Sequence, residues 1–129
     1  MSKAKGSRTE RELLSMFFNK DFVGTRTAGS GSTPLLAPDI IVGGNGRVLA
    51  IECKSGKDKR YITKDQIKEL REFSKKFGAE SWLGVRFDRE GWYFLNLEDL
   101  NESSSGNNFV VDIDLAKKKG LSFDELIKD

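Results

Sequence analysis

The order of hydrophobic patterns along the chain predicts an α/β domain with a central mixed β-sheet flanked by helices. Three observations lead there. A stripe of helical period opens the chain, a run of strand-length apolar segments joined by glycine-rich turns follows, and a second helical stripe separates those strands from two more. With 129 residues the chain fits one compact domain, residues 1–129.

Residues 1–6 are basic, end in glycine and read as a mobile tail. Ser7-Arg8-Thr9-Glu10 has the spacing of a capping box, so a helix is expected from there to about Asn19, burying Leu13, Leu14, Phe17 and Phe18. Phe22 to Thr27 reads as a short strand. Gly29-Ser30-Gly31-Ser32-Thr33-Pro34 reads as a flexible loop closed by Ala37-Pro38. Two strands follow, Asp39–Val42 and Arg47–Lys54, joined through Gly43-Gly44-Asn45-Gly46 as a hairpin. Thr63-Lys64-Asp65-Gln66 is a second capping box. It opens a helix in which Ile67, Leu70, Phe73 and Phe77 recur at helical spacing and Gly78 is the stop. Ser81–Phe87 and Trp92–Leu97 are strands around an Asp-Arg-Glu-Gly turn. Asn101–Asn108 is a polar loop, Phe109–Ile113 a short strand, and Ser122-Phe123-Asp124-Glu125 caps a short terminal helix.

Composition excludes whole classes of chemistry. The chain has no histidine and one cysteine, so Ser-His-Asp and Cys-His devices, His-ligated zinc and soft thiolate sites are all unavailable. A metal here would be hard and oxygen-bound, which points to Mg²⁺ or Mn²⁺. The lone Cys53 precludes an intramolecular disulfide and suits a reducing cytoplasm. No run is long and apolar enough for a membrane span, and no apolar stretch follows the first residues as a secretion signal requires. Net charge is +2, unevenly spread: residues 98–129 carry eight acids against four lysines, leaving residues 1–97 at +6. Such an excess suits a nucleic-acid partner, although basic faces are often merely solvated.

Chemistry concentrates in Pro38-Asp39, twelve residues, then Glu52-Cys53-Lys54. Strand alternation puts Val48, Ala50, Glu52 and Lys54 on one face and Leu49, Ile51 and Cys53 on the other, with Glu52 and Lys54 about 7 Å apart. The hairpin brings Asp39 beside them. Two carboxylates can hold a hard divalent cation, the Cys53 backbone carbonyl can add an oxygen, and Lys54 can orient water or stabilise charge on phosphorus. An ordinary ion pair on a solvated sheet face is the plain alternative. It is the weaker reading for the set, because Glu52 interrupts Leu-Ala-Ile-Glu-Cys-Lys, where an idle buried carboxylate is costly.

These residues resemble the PD-(D/E)XK nuclease superfamily. Lys5 to Leu13, Arg26 to Ser32, Pro38 to Ile41, Ile51 to Ser55 and Phe73 to Ala79 are similar, in order and spacing, to the archaeal Holliday-junction resolvases, over about residues 5–95. The resemblance implies a restriction-endonuclease-like fold and a structure-selective endonuclease that resolves four-way DNA junctions in recombination and repair. It implies Glu10 as a third acidic ligand beside Asp39 and Glu52, against the competing capping-box role. Glu12 lies on a different helix face and is the lesser candidate. It implies phosphate contacts at Arg11 and Arg26, a serine needed for cleavage at Ser30, a glutamine near the catalytic lysine at Gln66, and dimer contacts at Phe73 and Phe77. A nuclease of linear duplex and a non-catalytic junction-binding protein remain the alternatives.

Basic residues also cluster at Lys3, Lys5, Arg8 and Arg11, and at Lys54, Lys57, Lys59, Arg60 and Lys64. Of these, Lys5, Arg8, Arg11, Lys57 and Arg60, together with Arg26, are the expected DNA contacts, giving affinity without base reading. The expected partners are a four-way DNA junction, a second copy of the chain and accessory recombination proteins, with Mg²⁺ as cofactor and Mn²⁺ able to substitute. The expected location is cytoplasmic and nucleoid-associated.

Overall fold

A computed structural model describes residues 3–27 and 37–128, with the side chains of residues 3–5 excepted. In chain order the elements are α1 (Lys3–Phe18), β1 (Val23–Arg26), β2 (Ile40–Gly44), β3 (Arg47–Gly56), β4 (Lys59–Thr63), α2 (Lys64–Phe77), β5 (Glu80–Phe87) and β6 (Gly91–Leu95). A 3-10 turn (Leu97–Asp99), β7 (Asn101–Glu102), β8 (Asn108–Asp112), α3 (Ile113–Lys119) and α4 (Phe123–Ile127) complete it.

The central sheet has five strands in the order β1-β2-β3-β5-β6. It is mixed as expected: β3 and β5 run parallel and the other neighbours antiparallel. The β2–β3 register ends on the pair Gly44–Arg47. That leaves the two-residue loop Asn45-Gly46, both at positive φ (53° and 75°). This is the backbone a two-residue hairpin loop needs to match strand twist, and Asn-Gly supplies it at low steric cost.

Strand alternation divides the core in two. Ile40, Val42, Leu49, Ile51 and Cys53 face Leu13 and Phe17 of α1, joined by Phe22, Trp82, Trp92, Phe94 and Leu126. Ala50, Leu83, Val85, Phe87 and Leu95 face the opposite way, onto Ile67 and Leu70 of α2, Ile62, Val111 and Ala116. A second, three-stranded sheet, β4-β8-β7, supplies Ile62 and Val111 to that layer. Burying such side chains contributes roughly 1.5–3 kcal/mol each, so both faces are firmly covered. Among the described residues no helix is long and apolar enough to cross a membrane.

Several expectations are corrected. The supposed tail is helical from Lys3, so Ser7 lies inside α1 and its N–H is not an orphan donor to be capped. Gly6, costly within a helix by about 1 kcal/mol, disguises this start; docking of α1 on the sheet overrides it. β1 begins at Val23 instead of Phe22, and β6 ends at Leu95. The polar loop 101–108 contains the short strand β7 and the first residue of β8. β4 and α3 have no counterpart in the pattern reading. In β4 only Ile62 is fully buried, so there is scant hydrophobic period to detect. The capping boxes at Thr63 and Ser122 are present as expected, each with both reciprocal bonds.

Candidate active site

β3 is hydrogen-bonded to β2 on one side and β5 on the other, so its side chains are held by a backbone paired along both edges. Leu49, Ile51 and Cys53 belong to the α1-facing core, whereas Ala50 belongs to the α2-facing core. Glu52, Lys54 and Gly56 continue the Ala50 face. Asp39 immediately precedes β2, and extending the Ile40–Ile51 register sets it opposite Glu52. Its Oδ2 accepts a buried 2.9 Å hydrogen bond from the Cys53 N–H, which pins the carboxylate to the strand it faces.

The electrostatics are those of negative charges crowded in a dry place. Burial first and the Asp39 carboxylate second push the Glu52 carboxyl up to about 8, against the lowering effects of Lys54 and the Asp39 backbone N–H. Burial and then Asp39 also raise Glu10, against the lowering effects of Arg26 and Arg11. The Cys53 thiol is buried and its pKa is pushed well up, first by burial and then by Asp39, so it is no nucleophile.

Glu10 is not folded back as a capping residue. Its Oε1 lies 3.1 Å from Arg26 Nε, while Arg26 Nη2 donates to the Ser7 hydroxyl at 2.9 Å. The Arg26 Nε–H is buried and not aimed at the carboxylate, so this contact is ionic in character. Arg26 pairs with Ile40 in the sheet, which turns it toward α1. Glu10 thus approaches from the α1 side, and Glu52 and Lys54 stand on the other. Accordingly, no three acidic or cysteine side chains among the described residues stand close enough to share a metal ion. The pair Asp39 and Glu52 is an all-oxygen donor set whose mutual repulsion a divalent cation would relieve.

The remaining expected residues fall into four groups. Arg8 and Arg11 are exposed on α1 and Lys57 is exposed between β3 and β4, while Arg60 on β4 is half-buried. Gln66 is engaged in the α2 capping box, its Oε1 accepting from the Thr63 N–H. Phe73 and Phe77 stack at 5.0 Å between centroids, and Phe77 is 57% exposed. Ser30 lies outside the described residues, as does the side chain of Lys5.

Sequence reasoning missed the anchors of α1. Glu12 accepts from Arg86 Nε and Trp92 Nε1, both at 2.8 Å, tying the helix to β5 and β6. Ser7 holds Arg26 across nineteen residues of sequence. No local pattern marks such distant pairs.

The whole chain, residues 1–129, matches the sequence model of the family described as archaeal Holliday junction resolvase (Hjc). Crossover junction endodeoxyribonuclease Hjc of Archaeoglobus fulgidus is 34% identical over 131 residues, covering 95% of each chain. That of Sulfolobus acidocaldarius is 38% identical, over 98% of this chain and 89% of its own. That of Methanocaldococcus jannaschii is 37% identical, over 95% and 86%. The solved structure of A. fulgidus Hjc, a Holliday junction resolvase, superposes with a TM-score of 0.83 at 33% identity, over 92% of this chain and 95% of that one.

Proposed function

The chain belongs to the archaeal Holliday junction resolvase (Hjc) family, and from that premise we propose that it is an endonuclease that resolves four-way DNA junctions by metal-dependent hydrolysis of phosphodiester bonds. One observation of this chain carries the reading: Asp39 and Glu52 oppose each other across β2 and β3, with Lys54 on the same face as Glu52 and Glu52 driven far from its ordinary ionisation. A structural ion pair has no use for a carboxyl whose charge its surroundings resist. A cation site does.

Asp39 and Glu52 would hold Mg²⁺, or Mn²⁺ in its place, with the Cys53 backbone carbonyl as a further oxygen ligand. When bound, such an ion polarises the phosphate and acidifies water. The bond from the Cys53 N–H fixes the Asp39 carboxylate so that it need not reorganise. Lys54 holds the attacking water or a phosphate oxygen, and Ser30 supplies a hydroxyl to the scissile phosphate. Glu10 completes the acidic set once its carboxylate leaves Arg26, which a DNA phosphate favours by competing for that guanidinium. Lys5, Arg8, Arg11, Arg26, Lys57 and Arg60 contact phosphates.

The working unit in this proposal is a two-fold homodimer, since two like strands of a junction must be cut by matched sites. The exposed Phe77 stacked on Phe73 supplies an apolar contact surface. The proposed location is the cytoplasm, at the nucleoid, where accessory recombination proteins would meet it. The test is incision of a labelled synthetic four-way junction and of its constituent duplex arms, with Mg²⁺ and with EDTA. Cutting of the junction alone, only with Mg²⁺ and lost in Asp39→Asn, is the expected result. Equal cutting of the duplex, or cutting in EDTA, refutes it.

A further inference from the structure

Arg60 stands apart from the other arginines. Arg26, Arg47, Arg71 and Arg86 each lie against a carboxylate. Arg8, Arg11 and Arg89 are exposed. Among the described residues Arg60 alone is half-buried without a carboxylate partner, and its Nε is buried with no hydrogen bond. A buried guanidinium N–H left without an acceptor is costly, and a folded protein keeps such an arrangement where an anion arrives to complete it.

Where Arg60 lies identifies the anion. It shares the inner side of β4 with Ile62, and its side chain crosses the end of β3: a Cβ built on Gly56 would stand 2.6 Å from Arg60 Cδ, 3.3 Å from Nη1 and 3.4 Å from Nε. Gly56 is two residues beyond Lys54 and four beyond Glu52, so the direction of its absent side chain is the face that carries both. The Arg60 Cδ therefore occupies the side-chain position of residue 56, with the guanidinium beside it. Glu52, Lys54 and Arg60 form a row along the α2-facing side of β3, spaced about 7 Å apart and about 13 Å end to end. Beside this row the Asp88 N–H donates to the Gly56 carbonyl, fixing the end of β3.

We propose that Arg60, held over Gly56, clamps the DNA phosphate next to the scissile one and so sets which phosphodiester reaches Asp39 and Glu52. This deepens the nuclease reading above and rests on it. The row has the repeat needed to hold successive phosphates of one strand: the cation pair takes the reacting group, and Arg60 takes its neighbour bidentately. Arg60 is thus a positioning residue, distinct from the exposed Lys57, Arg8 and Arg11, which add affinity. Gly56 is the second member of the device, because a side chain there displaces the Arg60 Cδ and with it the guanidinium.

The test pairs substitutions with neutralised phosphates. Synthetic junctions carry a single methylphosphonate at one or the other phosphate flanking the cleavage site. Single-turnover rates and dissociation constants are measured with Mg²⁺ for the wild type, Arg60→Gln, Arg60→Lys and Gly56→Ala, each checked for folding by circular dichroism. A misplaced phosphate is expected to slow cleavage by about 10–100-fold. One lost contact among many should change the dissociation constant by only about 3-fold. The wild type should lose that factor when one of the two flanking phosphates is neutral. Arg60→Gln should be equally slow on the unmodified junction and indifferent to that methylphosphonate; Arg60→Lys should recover part of the rate. Gly56→Ala should behave as Arg60→Gln does, and if it fails to fold the arginine variants still decide. Normal cleavage by Arg60→Gln, or effects of substitution and methylphosphonate that simply multiply, overturns the clamp. A wild type that cuts no junction overturns the nuclease reading instead.

Discussion

Replacing Glu52 with glutamine should make the metal-free protein more stable while ending its activity, and the gain should grow with pH. The Glu52 carboxyl titrates at 4.5 in an open chain and at about 8 in the fold. Below pH 4.5 it is protonated in both states and costs nothing. Between pH 4.5 and 8 the unfolded chain gives up the proton and the folded chain keeps it, so stability falls as pH rises. Above pH 8 the whole difference is expressed. A shift of roughly 3.5 units at 1.36 kcal/mol each sets a ceiling of about 5 kcal/mol, and relaxation around a real charge brings the expected cost to about 2–5 kcal/mol. Glutamine keeps the shape and has no proton to lose. In urea unfolding with EDTA, the wild type should weaken from pH 5.5 to pH 8.5, while Glu52→Gln should weaken by at least about 2 kcal/mol less. Mg²⁺ should restore the wild type at pH 8.5 and leave the variant unchanged. Parallel pH profiles for the two proteins, or a variant less stable at pH 8.5, would refute the reasoning.

Asp39→Asn should abolish cleavage with junction affinity near wild type, since it keeps an oxygen for the Cys53 N–H; Asp39→Ala should in addition lose about 1–3 kcal/mol of stability in denaturant titration. Ser74→Ala should leave stability unchanged or raise it by up to about 1 kcal/mol, because its hydroxyl is buried on α2 with no partner. Phe77→Asp should shift sedimentation from dimer to monomer without altering circular dichroism, and an unchanged sedimentation coefficient removes Phe77 from any interface. Ser30→Ala should lower the single-turnover rate far more than it weakens binding.

Elements with a strong period were legible because one physical fact, a half-buried surface, writes itself at regular spacing. α2 shows this: Ile67 and Leu70 fall on one face and both its caps are formed by residues within the local sequence. The β2–β3 hairpin was legible for a similar reason, since Asn45-Gly46 is a local answer to a local geometric demand. β4 was not, because its exposed Lys59, Tyr61 and Thr63 present no apolar alternation, and its strand state comes from pairing with β8 nearly fifty residues away. The true start of α1 was hidden for the opposite reason: Ser7 and Glu10 satisfy a local rule, but tertiary docking carries the helix past it.

The same distinction runs through the site. Asp39, Glu52 and Lys54 could be placed together because strand period and hairpin register are short-range properties, and the register sets the two acids opposite each other. What those acids experience could not be read, since the raised Glu52 pKa depends on everything that excludes water around it. Glu10 illustrates the limit most sharply. Its spacing from Ser7 suggested a cap; its fold neighbour is instead Arg26, which Ser7 also binds, so all three form one unit across the first helix and first strand. A guanidinium between the Glu10 carboxylate and a helix hydroxyl neutralises charge in this structure, and it is a group a phosphate would recruit. In the proposed complex Arg26 would meet DNA with a carboxylate to release, whereas Arg60 would meet it with no carboxylate to leave. Under the proposed function the two arginines would divide the work: one would couple substrate arrival to completion of the acidic set, the other would fix where along the strand that set acts.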